Sequence, residues 1–473
     1  MPEILTPDIC VIGAGSGGLS VAAGAAQMGA SVVLFERGRM GGDCLNFGCV
    51  PSKSLIAAAL AAHTVGDAAR FGVGVNAPTV DGAAVFARVR AVIAAIAPND
   101  SAARFEGLGV RVIQAHARFT GPDRVQADGF EVRARRFVVA TGSGPAVPPI
   151  SGLDQVPYLT NETVFDLAAI PERLIVLGGG PIGIELAQAF RRLGAKVGVI
   201  EMQTILGRDD RELADVIRDR LAREGVAIRE NAKAERIERT ATGVAVELSG
   251  AEAARVEGTH LLVAVGRRPH IKDLGLDLAQ VAIEPGRIIV DARLRTTNPR
   301  VFAIGDAVGG LQFTHVANFH AGIALRNILF RWPARADRAA IPRVTYTDPE
   351  LAQVGLTEAE AHARRLNFRI LRWPMHDNDR AQAEGRTEGL VKVIASARGR
   401  ILGAGIAAAH AGELIGPWTL AMAEGLGLAA MANVVAPYPT LGEAGKRAAG
   451  SFFAPALFGE RTKTIVRLLA RLG

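Results

Sequence analysis

The chain is 473 residues long, 49% apolar and 21% charged, the composition of a folded globular protein of about three domains at ~150 residues each. Its net charge of +7 comes from 54 basic residues scattered among 47 acidic ones, and with aromatics at 5% no basic–aromatic patch is present to read nucleic acid. Three cysteines exclude a disulfide framework, and no run reaches the ~18 unbroken apolar residues of a membrane span.

The N-terminal MPEILTPDICVIGAGSG has no basic start and no cleavage-type apolar region, so no secretory signal is expected and a reducing, cytoplasmic setting is. The β-branched run Asp8 to Ile12 predicts a strand. Gly13, Gly15 and Gly18 then supply G-x-G-x-x-G, an alanine-rich helical stretch follows, and SVVLFE predicts a second strand ending in Glu36. In such a unit the glycines let a pyrophosphate approach the backbone at a helix N-terminus, and the acid takes ribose hydroxyls.

Next comes GGDCLNFGCVPSK, from Gly41 to Lys53, which holds Cys44 and Cys49. A close pair in a reducing compartment is a zinc half-site, a structural staple or a redox switch, and no second ligand pair lies nearby for zinc. Five residues apart on a regular helix, the two would sit on different faces, so CLNFGC must bend, helped by Gly48. Pro51 suits a first helical turn, which puts Cys49 at the positive end of that helix and favours its thiolate.

The nucleotide unit recurs in RLIVLGGGPIGIELAQAFRRLGAKVGVIE, with Gly178, Gly180, Gly183 and a strand ending in Glu201. Two units imply two dinucleotides. Glu201 would repel a 2′-phosphate and accept from a free 2′-hydroxyl, which favours NADH over NADPH, with Arg208 downstream as the opposing feature. In TTNPRVFAIGDAVGG, an Asn298–Pro299 turn leads into a buried strand, Val301 to Ile304, ending in Gly305 and Asp306 where sheet ligands bind.

Taken together, these motifs resemble the class I pyridine nucleotide–disulfide oxidoreductases over nearly the whole chain. The likeness rests on Cys44 to Lys53, on ATGS at Ala140 to Ser143, on AVGRRP at Ala264 to Pro269, on Thr296 to Asp306, and on TYTDPELAQVGLTEAEA from Thr345. It implies an α/β fold with two Rossmann-like dinucleotide-binding domains, for FAD and NAD, and an α+β C-terminal dimerisation domain. The implied boundaries are 1–150 and 273–344 for the two parts of the FAD domain, 151–272 for the NAD domain and 345–473 for the dimerisation domain. FAD would sit on the first unit, with Glu36 at the adenosine ribose, Asp306 at the ribitol and Lys53 near the flavin, and NAD on the second. The implied cofactor-binding residues together are Gly13, Gly15, Gly18, Glu36, Gly42, Lys53, Ala117, Thr141, Gly142, Ser143, Gly178, Gly180, Gly183, Glu201, Gly266, Arg267, Gly305, Asp306, Thr314 and His315. By the same resemblance, Lys53 and Glu185 pair beside the flavin, Cys49 is the flavin-proximal thiol, and Cys44 is the interchange thiol. Electrons would run from NADH to FAD, to a Cys44–Cys49 disulfide, and on to a disulfide or other sulfur-bearing acceptor.

Some positions depart from the family pattern. Relatives that reduce disulfides carry H-P-T-x-x-E near the C-terminus, on the partner chain's side of the site. This chain reads PYPTLGE, so Tyr438 replaces the histidine and Glu443 is kept. A phenol with a pKa near ~10 is a poor base at neutral pH, and the nearest upstream histidine is His410. Asp43, where threonine is usual, and Pro181 lean toward mercuric-reductase-like relatives, yet the KTIVRLLARLG end lacks their cysteine pair. Asp43 is expected to raise the Cys44 pKa by like-charge repulsion. The alternatives for the acceptor are a quinone or a metal ion, and an alternative of another class is a low-turnover redox sensor or docking subunit. The tail FFAPALFGERTKTIVRLLARLG, with Arg461, Lys463, Arg467 and Arg471, is either a basic amphipathic helix on a membrane surface or a segment packed on its own dimer.

Overall fold

The computed structural model describes residues 2–250, 254–337 and 340–472. Its first core is a five-stranded parallel sheet in the order Val301–Ala303, Arg136–Val139, Ile9–Ile12, Val32–Phe35, Val110–Ile113. Ile9 aligns with both Val32 and Arg136, and Val301 with Phe137. ICVI and VVLF are buried at every position, as expected of short apolar runs covered on both faces of a parallel sheet. The strand from residue 301 thus completes a sheet begun some 290 residues earlier in sequence, so the chain leaves this layer and returns to it.

What lies between builds a second parallel sheet, in the order Ala227–Arg229, Lys196–Ile200, Arg173–Leu177, His260–Val263. Smaller sheets accompany them, one mixed and four-stranded with Glu3–Leu5 parallel to Phe130–Val132, the others antiparallel. The C-terminal part folds around a five-stranded antiparallel sheet in the order Arg343–Thr345, Glu350–Gly355, Ile401–Ala408, Leu390–Ser396, Phe368–Pro374.

Two helices, Cys49–Gly66 and Gly82–Ile96, carry the cysteine segment against the second sheet. Leu55, Ala59, Phe86 and Val89 share one core with Ile184 and Phe190 of the helix Pro181–Arg192. The stretches Gly42–Gly66 and Gly82–Gly107 reach the length and mean hydropathy of a membrane span, although polar and charged residues interrupt both and neither is an unbroken apolar run. Alanine supplies much of that hydropathy, and the first stretch also carries Lys53 and both cysteines, with Cys44 half-buried and Cys49 exposed.

A charged knot fastens the second sheet to the C-terminal part. Arg192 pairs with Glu224 at 2.6 Å and with Asp348 at 3.0 Å. Arg220 joins Glu224 at 2.6 Å and Glu388 at 3.2 Å, and Arg386 reaches Asp348. Burial pushes the Glu224 and Asp348 carboxyls upward, but Arg192 and the neighbouring guanidiniums outweigh it and hold both below the ordinary range.

Candidate redox site

The two glycine loops are built alike. Gly13 and Gly178 sit in the left-handed region at φ +105° and +107°, each against the backbone where the next strand of its sheet ends. A Cβ on Gly18 would lie 1.8 Å from the Gly13 carbonyl, and one on Gly183 would lie 2.1 Å from that of Gly178. The spacing therefore follows from helix packing against strand. Glu36 accepts from the Ala14 amide at 2.6 Å and the Gly38 amide at 2.7 Å. Glu201 does the same for Gly179 at 2.7 Å and Gln203 at 2.9 Å. Each acid braces its own loop, with lone pairs left for ribose hydroxyls. Arg208 is exposed, and its carbonyl accepts from Arg343.

These loops suit FAD and a nicotinamide dinucleotide. The helices Ser16–Gln27 and Pro181–Arg192 have no side chain capping their N-termini and no acid in the first turn, which leaves donor N–H groups for phosphates. Nothing stands within 4 Å of a Cβ built on Gly180. The Thr141 hydroxyl is buried without a hydrogen-bond partner among the described residues, as expected of a group whose partner is a ligand. Gly142, Gly266 and Gly305 all have positive φ, at +66°, +136° and +63°, which brings bare backbone to the same region. Gly42 packs on Gly15 so closely that a Cβ would lie 2.7 Å from its Cα, and Ala117 is buried in the first core.

Cys44 lies on a short helix, Gly42–Asn46, and Cys49 begins the next, Cys49–Gly66, with the bend at Phe47 and Gly48. Both are free thiols that hydrogen-bond each other. That bond from Cys44 is the main reason the Cys49 pKa falls to about 6. Thr314, 3.4 Å from its sulfur, and the Lys53 charge add to the effect, while burial and Asp43 oppose it. Cys44 is pushed strongly upward, first by Cys49 and by burial, and least by Asp43. The expected repulsion from Asp43 thus has the right sign but a small weight. Its carboxylate is answered by Arg267 at 3.1 Å and Asn161 at 3.0 Å.

Lys53 Nζ donates to Glu185 Oε2 at 2.7 Å, across 132 residues of sequence. The other carboxylate oxygen of Glu185 accepts from the Tyr346 amide at 2.9 Å, and the Lys53 ammonium lies 4.3 Å from the Tyr346 ring centroid. The ammonium is thereby held by an anion and an aromatic face at once. Asp306 accepts from Ser143 Oγ at 2.5 Å, and Arg267 donates to Ser143 Oγ and O at 2.8 Å each. Burial raises the Asp306 pKa, with Ser143 and Arg267 pulling the other way. Arg267 therefore ties the Asp43 carboxylate beside Cys44 to the Ser143–Asp306 pair. His315 stacks on Phe313 and bonds the Pro342 carbonyl at 2.8 Å.

Tyr438 makes no hydrogen bond to any of these groups. Its hydroxyl donates to Asp379 at 2.8 Å, which raises its pKa further, and its side chain is 70% exposed. Glu443 starts the helix Glu443–Ser451 and is not the partner of Tyr438. Asp379, Asn161 and Tyr346 have functional contacts that the sequence reading missed. Only Tyr346 carried a signal, through its place in the TYTDPE motif.

Comparison with known proteins agrees with this arrangement. Residues 7–321 match the family model described as pyridine nucleotide-disulphide oxidoreductase, and residues 341–449 match its dimerisation domain. A mercuric reductase from Streptomyces lividans is 36% identical over 94% of this chain and 96% of its own. A dihydrolipoyl dehydrogenase from Thermus scotoductus is 37% identical over 93% and 95%. Among solved structures, LpdA from Mycobacterium tuberculosis superposes with a TM-score of 0.87 at 29% identity, covering 94% of this chain and 99% of that one. A Cu(II) complex of the HOCl-induced flavoprotein disulfide reductase RclA from Escherichia coli gives 0.84 at 28%, covering 93% and 98%. The chain belongs to the pyridine nucleotide–disulphide oxidoreductases, flavoenzymes that move electrons between NAD(P)H, FAD and a redox-active cysteine pair, and it carries their dimerisation domain.

Proposed function

We propose that the enzyme runs in the reductive direction, from NADH to a disulfide or other sulfur-bearing acceptor taken at Cys44. The observation that carries this reading is the split thiol pair, with Cys49 ionised at neutral pH and Cys44 kept protonated beside it. FAD, when bound, supplies the hydride and electron-pair chemistry between nicotinamide and sulfur. The chain's residues do the rest. Cys44 attacks the acceptor sulfur as its proton moves along the hydrogen bond to Cys49, and the first thiolate leaves. The departing thiolate takes that proton from Cys49, which is thereby ionised again beside Lys53 and attacks Cys44 sulfur, forming the intramolecular disulfide and releasing the second half as a thiolate that takes its proton from solvent. Glu185 fixes the ammonium of Lys53.

Tyr438 and Glu443 belong to the acceptor side, Tyr438 as a neutral phenol that donates to a departing thiolate from the partner chain. As a base it would fail, so oxidation of a dithiol substrate is the weaker direction. Glu201 supports NADH as the donor. The domain boundaries 1–150, 151–272, 273–344 and 345–473 go with this reading, as does a cytoplasmic setting in which both thiols stay reducible.

The test is NADH-dependent reduction of the aromatic disulfide DTNB, alongside reduction of a benzoquinone. Cys44→Ser and Cys49→Ser should abolish the first and spare the second. Undiminished DTNB turnover in either variant would overturn the proposal. A second reading, reduction of a thiophilic metal ion, is favoured by the relatives named mercuric reductase and by the Cu(II) complex of RclA. Hg(II) or Cu(II) would then stimulate NADH oxidation in wild type and not in Cys44→Ser.

A further inference from the structure

The C-terminal segment beyond the dimerisation match, which ends at residue 449, presents a surface the redox chemistry does not use. Its last helix, Glu460–Leu469, has no buried residue. At 100° per residue, Ile465, Val466, Leu468 and Leu469 fall on one face of the helix with Arg461 among them, Lys463 and Arg467 fall on the other, and Arg471 and Leu472 follow the helix end. All five apolar side chains are more than half exposed, and so are Leu457 and Phe458 in the turn ahead of the helix. Large apolar groups exposed singly are ordinary, but seven within one short segment mark a surface that something covers.

The charge pattern selects the cover. Four bases, Arg461, Lys463, Arg467 and Arg471, face one acid, Glu460, which pairs with Lys463 at 2.8 Å. Arg461, Arg467 and Arg471 have no ion pair among the described residues. A second copy of this helix would cover the leucines but bring the same four bases with only Glu460, already paired with Lys463, to meet them. An anionic lipid surface answers both features, because acyl chains take the leucines and Phe458 while head groups take the guanidiniums. We propose that residues 457–472 dock the enzyme, lying in the interface plane, on an anionic lipid surface.

The experiment is co-sedimentation of the full-length, FAD-loaded protein with vesicles of phosphatidylcholine alone or mixed with phosphatidylglycerol at roughly 3:1. The protein should pellet only with the anionic vesicles, and salt at about 0.5 M should release most of it, because that concentration shortens the screening length to a few ångströms. Leu468→Glu with Leu469→Glu, and separately Arg467→Glu with Arg471→Glu, should each cut the bound fraction about tenfold or more. NADH oxidation should stay unchanged in both. Failure to pellet with anionic vesicles, or equal pelleting with neutral ones, overturns the proposal. So does a change in dimer mass by light scattering in either variant, which would assign this face to the second copy of the chain.

Discussion

Replacing Cys44 by alanine should raise the pKa of Cys49 toward that of an ordinary thiol. Three influences hold Cys49 down, namely the hydrogen bond from Cys44, that from Thr314 and the charge of Lys53, against burial and Asp43. Together they take it from 9.0 to about 6. At pH 7 this is the difference between ~90% thiolate and ~1%. The Cys44 bond is the largest of these influences, so its loss should move the inflection by at least ~1 unit and cut the thiolate fraction at pH 7 from ~90% to ~50% or less. The assay is pulsed alkylation of the reduced protein with iodoacetamide, with the Cys49 peptide followed by mass at each pH. Wild type should show an inflection near about 6, Cys44→Ala a clearly higher one, and Thr314→Val and Lys53→Gln smaller rises. A wild-type inflection at the ordinary thiol value, or no movement in Cys44→Ala, would refute the account of how the pair is tuned.

Arg192→Met should destabilise the protein by about 1–3 kcal/mol in denaturant titration, because Glu224 and Asp348 each lose one of two cations and keep only Arg220 and Arg386. Glu224 and Asp348 have folded-state pKa values below their unfolded ones, so their contribution is present above the unfolded carboxylate pKa and lost as pH falls through the folded values. Thermal scans should therefore show wild-type Tm dropping below about pH 4, with a shallower drop in Glu224→Gln. Gly18→Ala, whose methyl would meet the Gly13 carbonyl at 1.8 Å, should purify without flavin absorbance. Glu201→Ala should raise the ratio of NADPH to NADH kcat/KM about tenfold, the worth of ~1.4 kcal/mol of lost discrimination.

Sequence showed most clearly what steric necessity enforces. Gly18 and Gly183 could be placed because no side chain fits between their helix and the preceding turn. The Lys53–Glu185 pair, 132 residues apart, has no local signal and was legible only through family resemblance. Asp43 shows the limit of reasoning from neighbours in sequence. Its adjacency to Cys44 predicted the sign of its effect, but Arg267 and Asn161 come from other segments and absorb most of its field. Tyr438 was flagged as a departure, yet its partner Asp379 could not be, because an exposed aspartate opening a five-residue helix looks like a helix-start residue.

The charged knot around Arg192 and Asp348 bears on how such enzymes can be recombined. Its members come from the helical side of the second nucleotide unit and from loops of the C-terminal part; Glu224 is met within its own unit and Asp348 is also met by Arg386, but Arg192–Asp348 and Arg220–Glu388 cross the junction. A chimera that grafts a relative's C-terminal part onto this chain would import the sheet intact and still leave Arg192 and Arg220 with only Glu224 to share at the junction, unless positions 348, 386 and 388 travelled as a matched set. The seam, more than either module, is what the graft must respect.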